Sequence, residues 1–280
     1  MAKGSSRFGK YKERKVREAL RNPINVLKSL SEKSQEKSYK YQRLYRNLYN
    51  PEFYLLAYQN IYANKGSMTP GADGMTIDGI SMARINRIIE SMRNQSYQPK
   101  PARREYIKKK TGNKKRPLGI SSADDKLVQE VVRMILESIY EGSFSAKSHG
   151  FRPNKSCHTA LIQIRKTFTG AKWFVEGDIK ACFDSFDHAV LICILRKRIE
   201  DEAFLNLICK FLKAGYMEQW TFNKTYFGIP QGSGCSPILA NIYLNELDEF
   251  MQELKDKFDV GDCNRRKVSY EYESVRGRAK

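Results

Sequence analysis

The run from Trp173 to His188, Trp-Phe-Val-Glu-Gly-Asp-Ile-Lys-Ala-Cys-Phe-Asp-Ser-Phe-Asp-His, constrains this chain more than any other segment. Aromatic and β-branched residues at its start predict a short buried strand, because such side chains fit a pleated, packed surface. The strand would carry Asp178 to its end, and Phe183 follows five positions later, where the chain turns back. A second run spans Gly228 to Leu244 and reads Gly-Ile-Pro-Gln-Gly-Ser-Gly-Cys-Ser-Pro-Ile-Leu-Ala-Asn-Ile-Tyr-Leu. Its Gly/Ser-rich loop opens a helix at Ser236, with Pro237 in the first turn, where a missing N–H costs nothing. Leu239, Tyr243, Leu247, Phe250 and Leu254 then recur at helical spacing.

Charge says what such a chain meets. Fifty Lys and Arg against 31 Asp and Glu leave a formal charge of +19 on 280 residues, with 41% hydrophobic residues, enough for a real core. That surplus favours a polyanion, most simply nucleic acid, over the rival of a merely solvated basic surface. An anionic membrane is a weaker partner, because no basic stretch carries a clean apolar face beside it. The six cysteines form no Cys-x-x-Cys pair, and in Cys157-His158 the adjacent side chains point apart. Reduced thiols are therefore expected, with neither a zinc site nor a disulfide framework. The N-terminus lacks an apolar signal region and no apolar run reaches the length of a membrane span, so a soluble, cytoplasmic protein is expected.

Along the chain, residues 1–50 are rich in Lys, Arg and Ser, with one or two helices that need something to lie on. Tyr39, Tyr41, Tyr45 and Tyr49 interleave with Arg43 and Arg46. Bases could stack on these rings, or the rings could simply pack half-buried. Helices are predicted from Pro51 to Tyr62 and from Met82 to Met92, and a basic hairpin from Arg103 to Ile120 about a turn at 111–113. Eight Lys or Arg crowd Arg103 to Arg116 against one acid, Glu105. Ala123-Asp124-Asp125 imitates a catalytic acidic pair, but Ser122 with Asp125 three residues on fits the start of the amphipathic helix that follows. Asp187 is expected to cap another helix through Val190, Leu191 and Leu195, and Phe204 to Phe211 to form one more.

Together these runs resemble the reverse transcriptases of group II introns. Gly71-Ala-Asp-Gly-Met-Thr76, Lys114-Lys-Arg-Pro-Leu-Gly-Ile120, Ser148-His-Gly-Phe-Arg-Pro153 and the two runs above stand in that family's order, from about Tyr49 to Leu254. The resemblance implies an α/β (α+β) right-hand polymerase fold: fingers, then a partial palm whose antiparallel sheet is backed by helices. Domains follow as a basic extension at 1–50, fingers at 51–170, partial palm at 171–259 and a basic polar tail at 260–280. Asp178 would be the catalytic carboxylate, holding Mg²⁺ together with the backbone carbonyl of Ile179; two such ions activate the 3′-hydroxyl and neutralise pyrophosphate. Phe183 would sit beneath the sugar and turn away a 2′-hydroxyl. Gln231 would contact the incoming nucleotide and template base, and Arg116 with Lys109 would grip the triphosphate, Lys108 and Lys110 being alternatives to Lys109. His149 and His158 are expected in packing or template contact.

The partners implied are intron RNA, an RNA template with a DNA primer, and deoxynucleoside triphosphates, without a membrane; a homodimer is an open alternative. The implied work is RNA-directed DNA synthesis and assistance to splicing. Alternatives are a non-catalytic RNA-binding splicing module, or a reverse transcriptase of a retron, a diversity-generating or a phage-defence system. The family's Tyr/Phe-x-Asp-Asp hairpin does not occur before Lys280. The expectation is therefore a fragment whose 280 residues do not polymerise alone, the second carboxylate set lying outside them.

Overall fold

The computed structural model describes residues 22–64, 66–108, 115–170, 173–230 and 232–261, together with 274. Lys109, Gln231 and the expected turn at 111–113 lie outside the described residues. The chain divides into two compact units, Met1–Tyr243 and Leu244–Lys280.

The first unit is built around one helix. Helices α1 (Pro23–Ser34), α2 (Pro51–Tyr62) and α3 (Met82–Arg93) precede the strands β1 (Ala102–Lys108) and β2 (Lys115–Ile120), which lead into α4 (Ala123–Tyr140). Leu127, Val128, Val131, Val132, Ile135, Leu136 and Ile139 of α4 are fully buried, a stripe broad enough for α1 and α2 to pack against. Each full burial of such a side chain contributes about 1.5–3 kcal/mol. Ser122 caps α4, its hydroxyl accepting the Asp125 amide at 3.2 Å. Asp125 itself is buried and accepts from the Tyr97 hydroxyl (2.5 Å), the Ser122 hydroxyl (2.7 Å) and the Lys100 amide (3.0 Å). Asp124 pairs with Arg84. The adjacent acids are thus structural, as the capping pattern indicates.

Tyr41 and Tyr45 are buried, Tyr41 donating to the Leu30 carbonyl at 2.8 Å, so packing is the use of these two rings. Tyr45 to Tyr49 form a 3₁₀ turn and not an α-helix.

Beyond α4 come α5 (Cys157–Thr167), the single turn α6 (Cys182–Ser185), α7 (His188–Arg196) and α8 (Glu202–Leu212), then β3 (Tyr216–Glu218), β4 (Thr221–Asn223) and α9 (Ser236–Phe258). Asp187 caps α7 through the Val190 amide at 3.0 Å. The four strands form one sheet in the order β2-β1-β3-β4. The β1–β2 hairpin and the β3–β4 hairpin are antiparallel, and β1 joins β3 in parallel, because the chain returns to the sheet only after the helices from α4 to α8.

One expectation fails. Residues 173–179 form no strand: they have no ladder partner among the described residues, and Trp173 and Val175 are 91% and 99% exposed. Strand identity needs a neighbour to satisfy its backbone, and composition alone does not supply one. In the second unit, α9 continues with Asn245 donating to Glu249 (2.9 Å) and Gln252 to Asp256 (2.7 Å), while Leu247, Phe250 and Leu254 are exposed. Among the described residues, no helix is long and apolar enough to cross a membrane.

Candidate nucleotide site

Two segments far apart in sequence are clamped into one wall. The Gly228 amide donates to the Phe186 carbonyl and the Ile229 amide to the Phe183 carbonyl, both at 2.7 Å. His188 closes the clamp, its Nε2 lying 2.7 Å from the Gly228 carbonyl oxygen. Gly228 has a φ of +85°, and a Cβ there would meet the Phe183 carbonyl oxygen at 2.7 Å, so only glycine lets the two segments of this wall approach. Behind it, Phe186 packs edge-on against Tyr243 with ring centroids 4.6 Å apart.

The loop that follows is pinned to its own first carbonyl. Pro230 accepts from the Ser236 hydroxyl at 2.8 Å and from the Ser233 amide at 3.2 Å. Gln129, buried on α4, accepts the Gly234 amide at 3.0 Å and donates to the Ser121 hydroxyl at 3.2 Å. Gly232 (φ +103°) presses on β2: a Cβ there would lie 2.7 Å from both the Gly119 carbonyl oxygen and Leu118 Cδ1.

Beside these contacts lies an open cavity of about 640 Å³ between the β1–β2 hairpin, α6 and the start of α9. Arg116, Leu118, Phe151, Phe183, Gly232 and Pro237 are among its lining residues. Arg116 lies opposite Ile107 in the hairpin, with an exposed side chain free to reach into the cavity. Two predicted site residues, Arg116 and Phe183, therefore meet in one space. Asp178 and Ile179 do not line it; both lie on the exposed stretch before α6. Asp178 is still near: the Cys182 thiol is pushed up by burial first and by the Asp178 charge second. Ala181, at φ +52°, makes the sharp turn between Asp178 and Phe183.

The oxygen donors of Asp178 and Ile179 suit a hard divalent cation, but they are only part of a coordination shell. Among the described residues, no group of three or more metal-ligating side chains converges. The described donors therefore do not by themselves make up a two-ion centre.

Sequence reasoning missed Gln129 and Leu118. The signal for Gln129 was a polar residue inside the apolar stripe Leu127–Val132. His149 is tied down within its own region: its ring nitrogens lie 2.8 Å from Thr159 Oγ1 and 2.5 Å from Gln163 Oε1, linking Ser148–Pro153 to α5.

The loop that begins at Gly232, the basic β1–β2 hairpin and Phe183 thus border one cavity. The family model for reverse transcriptase (RNA-dependent DNA polymerase) matches residues 107–266. The group II intron-encoded protein LtrA of Lactococcus lactis subsp. cremoris is 53% identical over 241 residues, covering 86% of this chain and 40% of that protein. The uncharacterized 91 kDa protein in the cob intron of Schizosaccharomyces pombe is 46% identical over 255 residues, covering 89% of this chain and 31% of the relative. A solved chain of a partial Cas6-RT-Cas1–Cas2 complex has a TM-score of 0.50 at 23% identity, covering 76% of this chain and 35% of that one, a likeness of fold. The chain belongs to the reverse transcriptase family, in its group II intron maturase branch. It spans about 40% of the length of LtrA.

Proposed function

We propose that this chain carries the nucleotide-selecting part of an RNA-directed DNA polymerase that also binds its intron RNA for splicing and mobility. The observation that carries the reading is the cavity in which Arg116, Phe183 and Gly232 meet. Arg116 takes triphosphate oxygens with its guanidinium fork, a charge-assisted contact that survives at a half-open site. Lys109 adds a second positive charge and Gln231 a contact to the incoming nucleotide and template base. The ring of Phe183 occupies the space that a 2′-hydroxyl needs and offers it no hydrogen-bond partner.

Asp178 and the Ile179 carbonyl would help to hold Mg²⁺, which supplies charge neutralisation at the transferring phosphoryl group. Everything else in the site concerns position: Gln129 and Ser236 fix the loop, and the 183–188 turn fixes the ring. The partners proposed are intron RNA, an RNA template with a DNA primer, and deoxynucleoside triphosphates, in the cytoplasm, with a homodimer as the quaternary alternative. The charge of +19 supports the nucleic acid.

Primer extension on an RNA template by the full gene product tests the reading. Template-dependent synthesis should disappear in Asp178→Asn while RNA binding persists. Synthesis that continues undiminished in that variant would remove Asp178 from the chemistry.

A further inference from the structure

Next to the nucleotide cavity lies a second one of about 360 Å³, and Pro117 and Asp184 line both. Its other walls come from Arg104 on β1, Tyr216 on β3, and Lys224, Tyr226 and Phe227 on the segment after β4. Gly119 and Gly228–Pro230, which shape the neighbouring loop, also border it, whereas Arg104, Tyr216, Lys224, Tyr226 and Phe227 line this cavity alone.

The chemistry of this wall is unusual for a protein surface. Tyr226 and Phe227 are 72% and 61% exposed, and Trp220, at the tip of the β3–β4 hairpin, is 95% exposed. Trp220 is held outward at a φ of +65°, in the left-handed region that a bulky residue seldom adopts. The Arg104 guanidinium stacks on the Tyr216 ring, 3.5 Å from its centroid, and its Nε is buried without a hydrogen-bond partner among the described residues. Tyr106 donates to Glu218 at 2.6 Å, which ties the β1–β2 hairpin to β3 and makes the platform rigid. Arg104 and Lys224 outweigh the single acid in the wall, Asp184.

We infer that the β3–β4 hairpin and residues 224–227 form a stacking platform for single-stranded RNA that adjoins the nucleotide cavity. One base enters the second cavity against Tyr226 and the Arg104–Tyr216 stack, Lys224 takes the backbone, and the strand runs out toward Trp220. Aromatic rings accept any unpaired base and cations track the phosphates, so binding depends on single-strandedness and not on sequence. Charge selects a polyanion over a second copy of this chain, which is itself strongly basic. The choice of RNA rests on the function proposed above.

The chain contains two tryptophans, Trp173 and Trp220, so Trp173→Phe leaves Trp220 as the lone reporter. Titration of that variant with a twelve-nucleotide oligouridylate should quench Trp220 saturably. Tyr226→Ala or Trp220→Ala should weaken filter binding of the same oligonucleotide about tenfold, the effect of losing a stacked base. A blunt RNA duplex should leave Trp220 unquenched. The platform is overturned if the oligonucleotide binds on filters but leaves Trp220 and both substitutions silent. Equal quenching by the duplex overturns it too, as does quenching that follows protein concentration without RNA, the mark of self-pairing at the β4 edge. No RNA binding at all by the Trp173→Phe variant overturns the proposed function with it.

Discussion

Replacing Gly232 by alanine adds one methyl group at the place where the loop, β2 and the nucleotide cavity meet. Its φ of +103° is a conformation that side chains rarely adopt, costing about 1–3 kcal/mol. The new Cβ would lie 2.7 Å from the Gly119 carbonyl oxygen, an atom of a paired strand that cannot rotate away. The loop must therefore lift from β2, carrying the cavity wall with it. For a unit of this size each kcal/mol lowers the melting temperature by about 2–4 °C, so Gly232→Ala should melt roughly 2–12 °C lower. Deoxynucleotide affinity should fall with it. Gly150→Ala is the control: a Cβ there meets nothing within 4 Å, so its melting temperature should hold. Differential scanning calorimetry and nucleotide titration on the three proteins decide the matter. A Gly232→Ala protein that melts within about 1 °C of the parent and binds nucleotide equally well would refute the close-approach argument.

Phe183→Val should admit ribonucleotides more readily, read as the ratio of ribonucleotide to deoxynucleotide incorporation by the full gene product; an unchanged ratio would reduce Phe183 to packing. Burial pushes the Cys235 thiol up to about 11, while Cys157 and Cys193 are exposed. At pH 8 a thiol reagent followed by peptide mapping should label Cys157 and Cys193 in the native protein and Cys235 only after unfolding. Burial raises the Asp125 carboxyl above its ordinary 3.8, against the hydrogen bonds from Tyr97, Ser122 and the Lys100 amide. A raised folded pKa means that its contribution is full below 3.8 and is lost as pH rises through the folded value. The stability of the parent relative to Asp125→Asn should accordingly decline from about pH 4 toward pH 7 in urea denaturation, and a constant difference would contradict the assignment.

What the sequence made legible divides along physical lines. The α4 stripe, the Ser122 and Asp187 caps and the Ser236-Pro237 helix start were readable because each is settled within one turn of chain. Arg116 and Phe183 were readable as a pair only through family resemblance, since nothing local says that a hairpin and a turn 67 positions apart will face one cavity. Trp173 to Ile179 has strand composition, yet it has no ladder partner among the described residues, because pairing is a property of two segments and not of one. The Gln129 contact to Gly234 was invisible for the same reason: a buried amide discloses its partner only when the fold brings the loop to it. The tyrosines at 41 and 45 left stacking and packing equally open until burial decided for packing.

Arg116 and Phe183 are proposed to bound one deoxynucleotide site. Equilibrium titration of a fluorescent deoxynucleoside triphosphate in the presence of Mg²⁺, with the parent, Arg116→Ala and Phe183→Ala, tests it most directly. Removing a charge-assisted contact worth about 1.5–3 kcal/mol should weaken triphosphate binding roughly tenfold or more in Arg116→Ala. The Phe183→Ala protein should instead bind a ribonucleotide and a deoxynucleotide with nearly equal affinity. Saturable binding that is untouched by either substitution would place the nucleotide elsewhere and contradict the account.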